Sequence, residues 1–87
     1  MVYKVIGIFA GDKFSLENGE DLGTYQGFNQ LEVQLKSNRN YRDIFEGPYK
    51  VIKTGEEVES THTYEGEGII QVRENTITGD RIYIYRV

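Results

Sequence analysis

The sequence predicts a mainly β protein: a single small antiparallel sheet of five to seven strands, curled into a barrel or a two-layer roll, with at most one short helix near residues 41–46. Three observations predict it. β-Branched and aromatic residues gather in short runs separated by turn formers. The chain has 10 glycines in 87 residues, which suits bends and bulges. No stretch of about eleven residues carries the i, i+3, i+4, i+7 apolar stripe that a stable amphipathic helix needs. At this length one compact β-rich domain over residues 1–87 is expected. Such a chain buries roughly 60–65% of its unfolded surface, enough for one core but not for a deep, multi-walled cleft.

Residues 2–10 (VYKVIGIFA) place Val2, Ile6 and Ile8 on one parity and Tyr3, Val5 and Phe9 on the other, which reads as a strand buried on both faces. Turn formers at 11–12, 18–19 and 23 suggest a short strand or hairpin between them, with Asn18-Gly19 as its type I′ turn. Leu31, Val33 and Leu35 alternate with Glu32, Gln34 and Lys36, the pattern of a half-exposed antiparallel strand. Tyr41 to Phe45 suits one helical turn, stopped by Gly47 and Pro48. Tyr49, Val51 and Ile52 read as a strand, and residues 60–64 as a weakly apolar edge strand. Residues 69–77 and 81–87 form a hairpin about Thr78-Gly79-Asp80, through either a two-residue type II′ turn or a wider Asn75–Asp80 loop. Ile82 and Ile84 oppose Tyr83 and Tyr85 in parity, so the last strand also presents apolar groups on both faces. Both terminal strands therefore belong inside the sheet, paired with one another or each at an edge.

Composition excludes more functions than it suggests. Without cysteine there is no disulfide framework, thiolate zinc site, iron–sulfur cluster or cysteine nucleophile. The apolar stretch from Val5 to Ala10 is too short for a signal sequence or a membrane span, so a cytoplasmic address is expected. Ten basic residues stand against 14 acidic ones, a net charge of −4 with pI near 4.9, which disfavours binding to duplex DNA by charge alone. The charge is unevenly placed. Residues 12–32 and 54–67 are acidic, the second through Glu56, Glu57, Glu59, Glu65 and Glu67, whereas residues 33–53 are basic through Lys36, Arg39, Arg42, Lys50 and Lys53. Such runs either face water or steer a charged partner.

Catalytic chemistry finds few residues to work with. His62 is the only histidine, and its neighbours Thr61 and Thr63 fall on the other side of a strand. Asp12, Glu17, Glu20 and Asp21 do not match a calcium-loop spacing. Gly66-Glu67-Gly68 puts a carboxylate where a phosphate would sit. No catalytic, cofactor-binding or metal-binding residue is assigned, and the expectation is a protein that is not an enzyme and takes no cofactor.

Seven tyrosines and four phenylalanines in a chain without tryptophan leave aromatic surface to explain. The leading expectation is a non-catalytic protein-interaction module that binds a protein partner through a Tyr-rich or charged face and self-associates, with a dimer favoured, through Tyr83, Tyr85 and Val87 on a terminal strand. The alternative is a small barrel that binds single-stranded nucleic acid or an acidic ligand through Lys36, Arg39, Tyr41, Arg42, Tyr49 and Lys50, a mixture of cations and rings able to stack bases in a charged groove. A weaker alternative is an acidic decoy that occupies a basic nucleic-acid channel through the glutamates of 56–67.

Overall fold

The structure, a computed structural model, describes residues 2–13, 17–54 and 68–86. Five strands build one antiparallel sheet: β1 (Tyr3–Ile8), β2 (Glu20–Tyr25), β3 (Tyr49–Thr54), β4 (Ile69–Asn75) and β5 (Arg81–Arg86), in the order β2-β1-β5-β4-β3. β1 and β5 lie side by side, with Tyr3 opposite Arg86 and Ile8 opposite Arg81. The terminal strands are thus paired with each other and central. Apolar residues on both parities are what that position requires, because a central strand covered on both faces has no wet side.

The sheet is neither closed nor strongly curled, which corrects the expected barrel or two-layer roll. Closure would pair β2 with β3, and these are the two edges of the sheet. The reason lies between them. Helix α1 (Phe28–Gln34) continues into a 3₁₀ turn (Leu35–Ser37), and a π-helical turn follows at Tyr41–Phe45. This connection carries the chain from one sheet edge to the other and buries four of its side chains in the core beneath it. A helical layer therefore covers the face that a barrel would have had to fold inward.

The strand expected over Leu31, Val33 and Leu35 is the source of the error. Positions i and i+4 share a face in a helix as well as in a strand, so Leu31 and Leu35 fit both periods. Val33 separates the two readings. It is 72% exposed, while Leu31 and Leu35 are 0% and 2% exposed, as a helix and not a strand would place them. The turn at Tyr41–Phe45 was legible, and its i to i+5 bond runs from the Glu46 amide to the Tyr41 carbonyl at 2.7 Å.

Each face of the sheet carries its own core. On the helical side Val5, Leu22, Tyr25, Ile82 and Ile84 pack with Leu31, Leu35, Tyr41 and Phe45, and Tyr3 meets Phe28 edge-on at 5.8 Å. Gly7 makes this packing possible: a Cβ there would stand 2.5 Å from Cζ of Phe45, so the ring lies directly on the β1 backbone. Phe9 also stacks on that ring, centre to centre at 5.3 Å. On the opposite face Ile6, Ile8, Ile69, Val72 and Tyr83 form a second buried cluster, joined by Ile52 and Tyr85.

The β4–β5 hairpin is present, closed by the wider of the two connections considered. The Asn75 amide donates to the Asp80 carbonyl at 2.7 Å and the Gly79 amide to the Asn75 carbonyl at 2.9 Å, while the Asn75 side chain accepts from the amides of Ile77 and Thr78. A two-residue type II′ turn is therefore not formed, although Gly79 still sits at φ +82. Asn18-Gly19 leads into β2, whose partner is β1. The strand expected over 60–64, together with His62, the acidic residues of 56–67 and Val87, lies outside the described residues.

Two substitutions test this packing. Ile84→Asp would place a carboxylate at a fully buried position, and chemical denaturation should show a loss of at least about 4 kcal/mol or no folded state. Gly7→Val would drive its side chain into the Phe45 ring and should lower stability by about 1–3 kcal/mol or more in the same measurement.

Candidate functional site

An open sheet has two edges, and here they differ in chemistry. β2 (EDLGTY) carries Glu20 and Asp21 and no basic residue; β3 (YKVIKT) carries Lys50 and Lys53 and no acidic one. Four successive antiparallel pairings leave the two edges parallel to each other. Both also contain an irregularity, between Lys4 and Ile6 opposite β2 and between Val51 and Lys53 within β3.

In β2 two backbone groups are bonded by the strand's own side chains. Asp21 Oδ1 accepts from the Gly23 amide at 2.9 Å, and the Tyr25 hydroxyl donates to the Leu22 carbonyl at 2.6 Å. Two backbone groups of the irregular stretch are thereby satisfied within the strand. Asp21 Oδ2 also meets Lys4 Nζ at 2.8 Å. The hydrogen bond from Lys4 and then that from the Gly23 amide hold the Asp21 carboxyl below its ordinary range, against a smaller opposing effect of burial.

β3 shows no such closure among the described residues. Its first two helix-side residues, Tyr49 and Val51, are 46% and 43% exposed. Pro48 precedes the strand, and its carbonyl accepts from the Thr76 amide at 3.0 Å, which fixes where β3 begins. On the opposite face Lys50 approaches Glu74 at 3.5 Å, but Glu74 has a closer partner in Arg81 at 3.0 Å.

Beside Tyr49 stands the most buried cation of the described chain. Arg73 of β4 is 6% exposed; its guanidinium pairs with Glu32 of α1, donates to Gln71 at 2.6 Å, and lies 4.8 Å from the Tyr49 ring centre and 5.9 Å from that of Phe28. A buried cation needs this many partners to offset its desolvation. The cluster ties α1 to β4 and holds the inner face of Tyr49, leaving its outer face in water.

A shallow recess with room for little more than a water molecule opens next to it, lined by Tyr41, Phe45, Gly47, Tyr49, Arg73, Asn75, Asp80 and Ile82. Its polar groups are engaged by the fold: Asp80 accepts from the Ala10 amide at 2.8 Å and from the Thr78 hydroxyl at 3.0 Å, and Asn75 holds the hairpin loop. Burial pushes the Tyr41 hydroxyl above its ordinary range, with the Arg73 charge opposing that shift. Among the described residues no buried side-chain polar atom lacks a partner, no three acidic or histidine side chains are grouped to hold a metal, and no helix is long and apolar enough to cross a membrane.

The residues singled out from sequence do not converge. Tyr83 is 2% exposed, Tyr85 is half-buried, and both belong to β5, which is paired on each side, so its backbone cannot pair across a two-fold axis as expected. In the basic block, Lys36, Arg39 and Arg42 are exposed on the helical side and Arg42 lies 3.6 Å from Asp43. Tyr41 is buried in the core. Tyr49 and Lys50 project to opposite faces of β3. The block therefore supplies no single surface of alternating rings and cations. Sequence reasoning passed over Val51 and Arg73. Pro48 ahead of Tyr49 was the available sign of an edge, and an arginine inside the apolar run 69–77 was the sign of a buried pair.

Comparison with protein-family models, with curated proteins and with solved structures finds no match for this chain.

The pH dependence of stability should report the self-closure of β2. Because the folded-state pKa of Asp21 is depressed, its contribution is present above the ordinary aspartate range and is lost as pH falls through the lower folded value. Thermal melts from neutral pH into strong acid should show this loss, and Asp21→Asn should lower the neutral-pH Tm while making the acid decline shallower.

Proposed function

We propose that this protein is a non-catalytic interaction module that receives an extended segment of a protein partner along the outer edge of β3. The observation that carries the reading is the contrast between the edges: β2 closes two of its backbone groups with its own side chains, whereas β3 flanks its outer edge with half-exposed Tyr49 and Val51. Strand addition at such an edge takes its affinity from main-chain hydrogen bonds and its selectivity from alternate side chains. Tyr49 is suited to the second role because Arg73 holds its ring in one orientation, so little side-chain freedom is lost on contact. A cytoplasmic address belongs to the same proposal, on the absence of cysteine from a small domain.

Self-association through Tyr83 and Tyr85 is not part of this reading, since β5 is central. Nor is the base-stacking groove, because its rings and cations are divided among the core and both sheet faces.

The test is position-specific photocrosslinking. A benzophenone side chain at Val51 should yield a discrete adduct, and the same group at exposed Thr24 on β2 should not. Val51→Lys, with an unchanged Tm, should then abolish binding of the captured protein measured with purified components. Equal adducts at both positions, or undiminished binding by the folded Val51→Lys variant, would overturn the assignment.

A further inference from the structure

The sequence of β3 narrows the partner. Lys50 and Lys53 are its only charged residues, and Lys53 stands in register with Val72 of β4, two positions from the Glu74 that faces Lys50. We propose that the segment accepted at β3 is acidic, an extended strand that sets an Asp or Glu side chain beside Lys50 and small apolar ones beside Tyr49 and Val51. The inference rests on the β3 reading above and adds the chemistry of the occupant.

Lysines on a sheet edge commonly prevent pairing, and here they do so selectively. A second copy docked about a two-fold axis would run β3 antiparallel to β3, setting two strands of net positive charge against each other, and like charges on facing strands are unfavourable. A second copy docked by translation would offer β2 instead, whose Glu20 and Asp21 have the right sign. That strand, however, has its Gly23 amide and Leu22 carbonyl already bonded by Asp21 and Tyr25, so it cannot supply a continuous ladder. An acidic strand from another protein meets neither obstacle.

Lys50 can take such a partner without stranding a charge. Its side chain is 62% exposed, and when it swings outward Glu74 keeps Arg81 at 3.0 Å. The gain is a difference between solvent-exposed pairs, so it sets preference among partners more than total affinity, and it is weakened by salt.

Three capped peptides of the pattern Thr-X-Val-X-Val-X-Thr-X, with X as Glu, Gln or Lys, serve as probes in amide chemical-shift titrations of the whole protein. The expected result is perturbation confined to residues 49–54 and their β4 neighbours. The Glu peptide should bind roughly three- to tenfold more tightly than the Gln peptide at low salt, and the Lys peptide weakest. Lys50→Gln with Lys53→Gln should erase the preference for Glu over Gln while both peptides still bind. Equal binding of the Glu and Gln peptides by the unaltered protein would overturn the charge assignment and leave the β3 edge standing. No perturbation at 49–54 from any peptide at millimolar concentration would overturn the β3 reading itself. Shifts at 20–25, or concentration-dependent self-association removed by Glu20→Gln with Asp21→Asn, would assign the edge to a second copy instead.

Discussion

Everything else in the molecule follows from the placement of two strands that are apolar on both faces at the centre of the sheet. β1 and β5 pair with each other and carry apolar side chains on both parities, so both faces of the sheet must be covered there. On one side the cover is the helical connection from β2 to β3, whose length is set by the need to cross the whole sheet. Its contact with the strands is made close by Gly7, where the Phe45 ring replaces a side chain. On the other side, Ile6, Ile8, Ile69, Val72 and Tyr83 are buried in turn. A sheet covered in this way has no reason to curl, and its edges stay apart.

Open edges are a hazard for any β protein, and the two edges here answer it in different ways. β2 bonds two of its own backbone groups, the Gly23 amide to exposed Asp21 and the Leu22 carbonyl to buried Tyr25. β3 shows no such bonding among the described residues and carries lysines in place of acidic residues. Arg73 adds a further asymmetry, since its ion pair with Glu32 and its contact with Tyr49 link α1 to the β3 side of the helical face.

The strands were largely legible because two-residue periodicity and β-branched composition report on them directly. β1, β3 and the β4–β5 hairpin can be read from residues 2–10, 49–52 and 69–87. The fold class was not legible, and Leu31, Val33 and Leu35 explain why: three apolar residues at alternate positions fit a strand completely and a helix in two of three places. With a helix only seven residues long, no further turn was available to break the tie. The candidate site was hidden for a different reason. Tyr49 and Lys50 stood out by composition alongside Tyr41 and Lys36, but composition cannot say that Tyr41 points into a core while Tyr49 meets water. That distinction depends on which strand becomes an edge, and the edge is decided by the pairing of β1 with β5, the most distant pairing in the chain.

That distant pairing also bears on how the chain reaches its native state. β1 meets β2 early, but its second partner is the last of the five strands in sequence, so the middle of the sheet stays open until the other strands have been made. Nucleation must then close a loop that contains most of the protein, which slows folding relative to a helical bundle of equal size. During that interval the two most apolar strands are each missing a neighbour, and the same two-faced character that locks the finished sheet makes the incomplete one prone to capture by other chains. Joining residues 86 and 2 through a short linker and opening the chain in the Thr76–Gly79 loop would make the β1–β5 contact local, converting the slowest step of assembly into a hairpin closure.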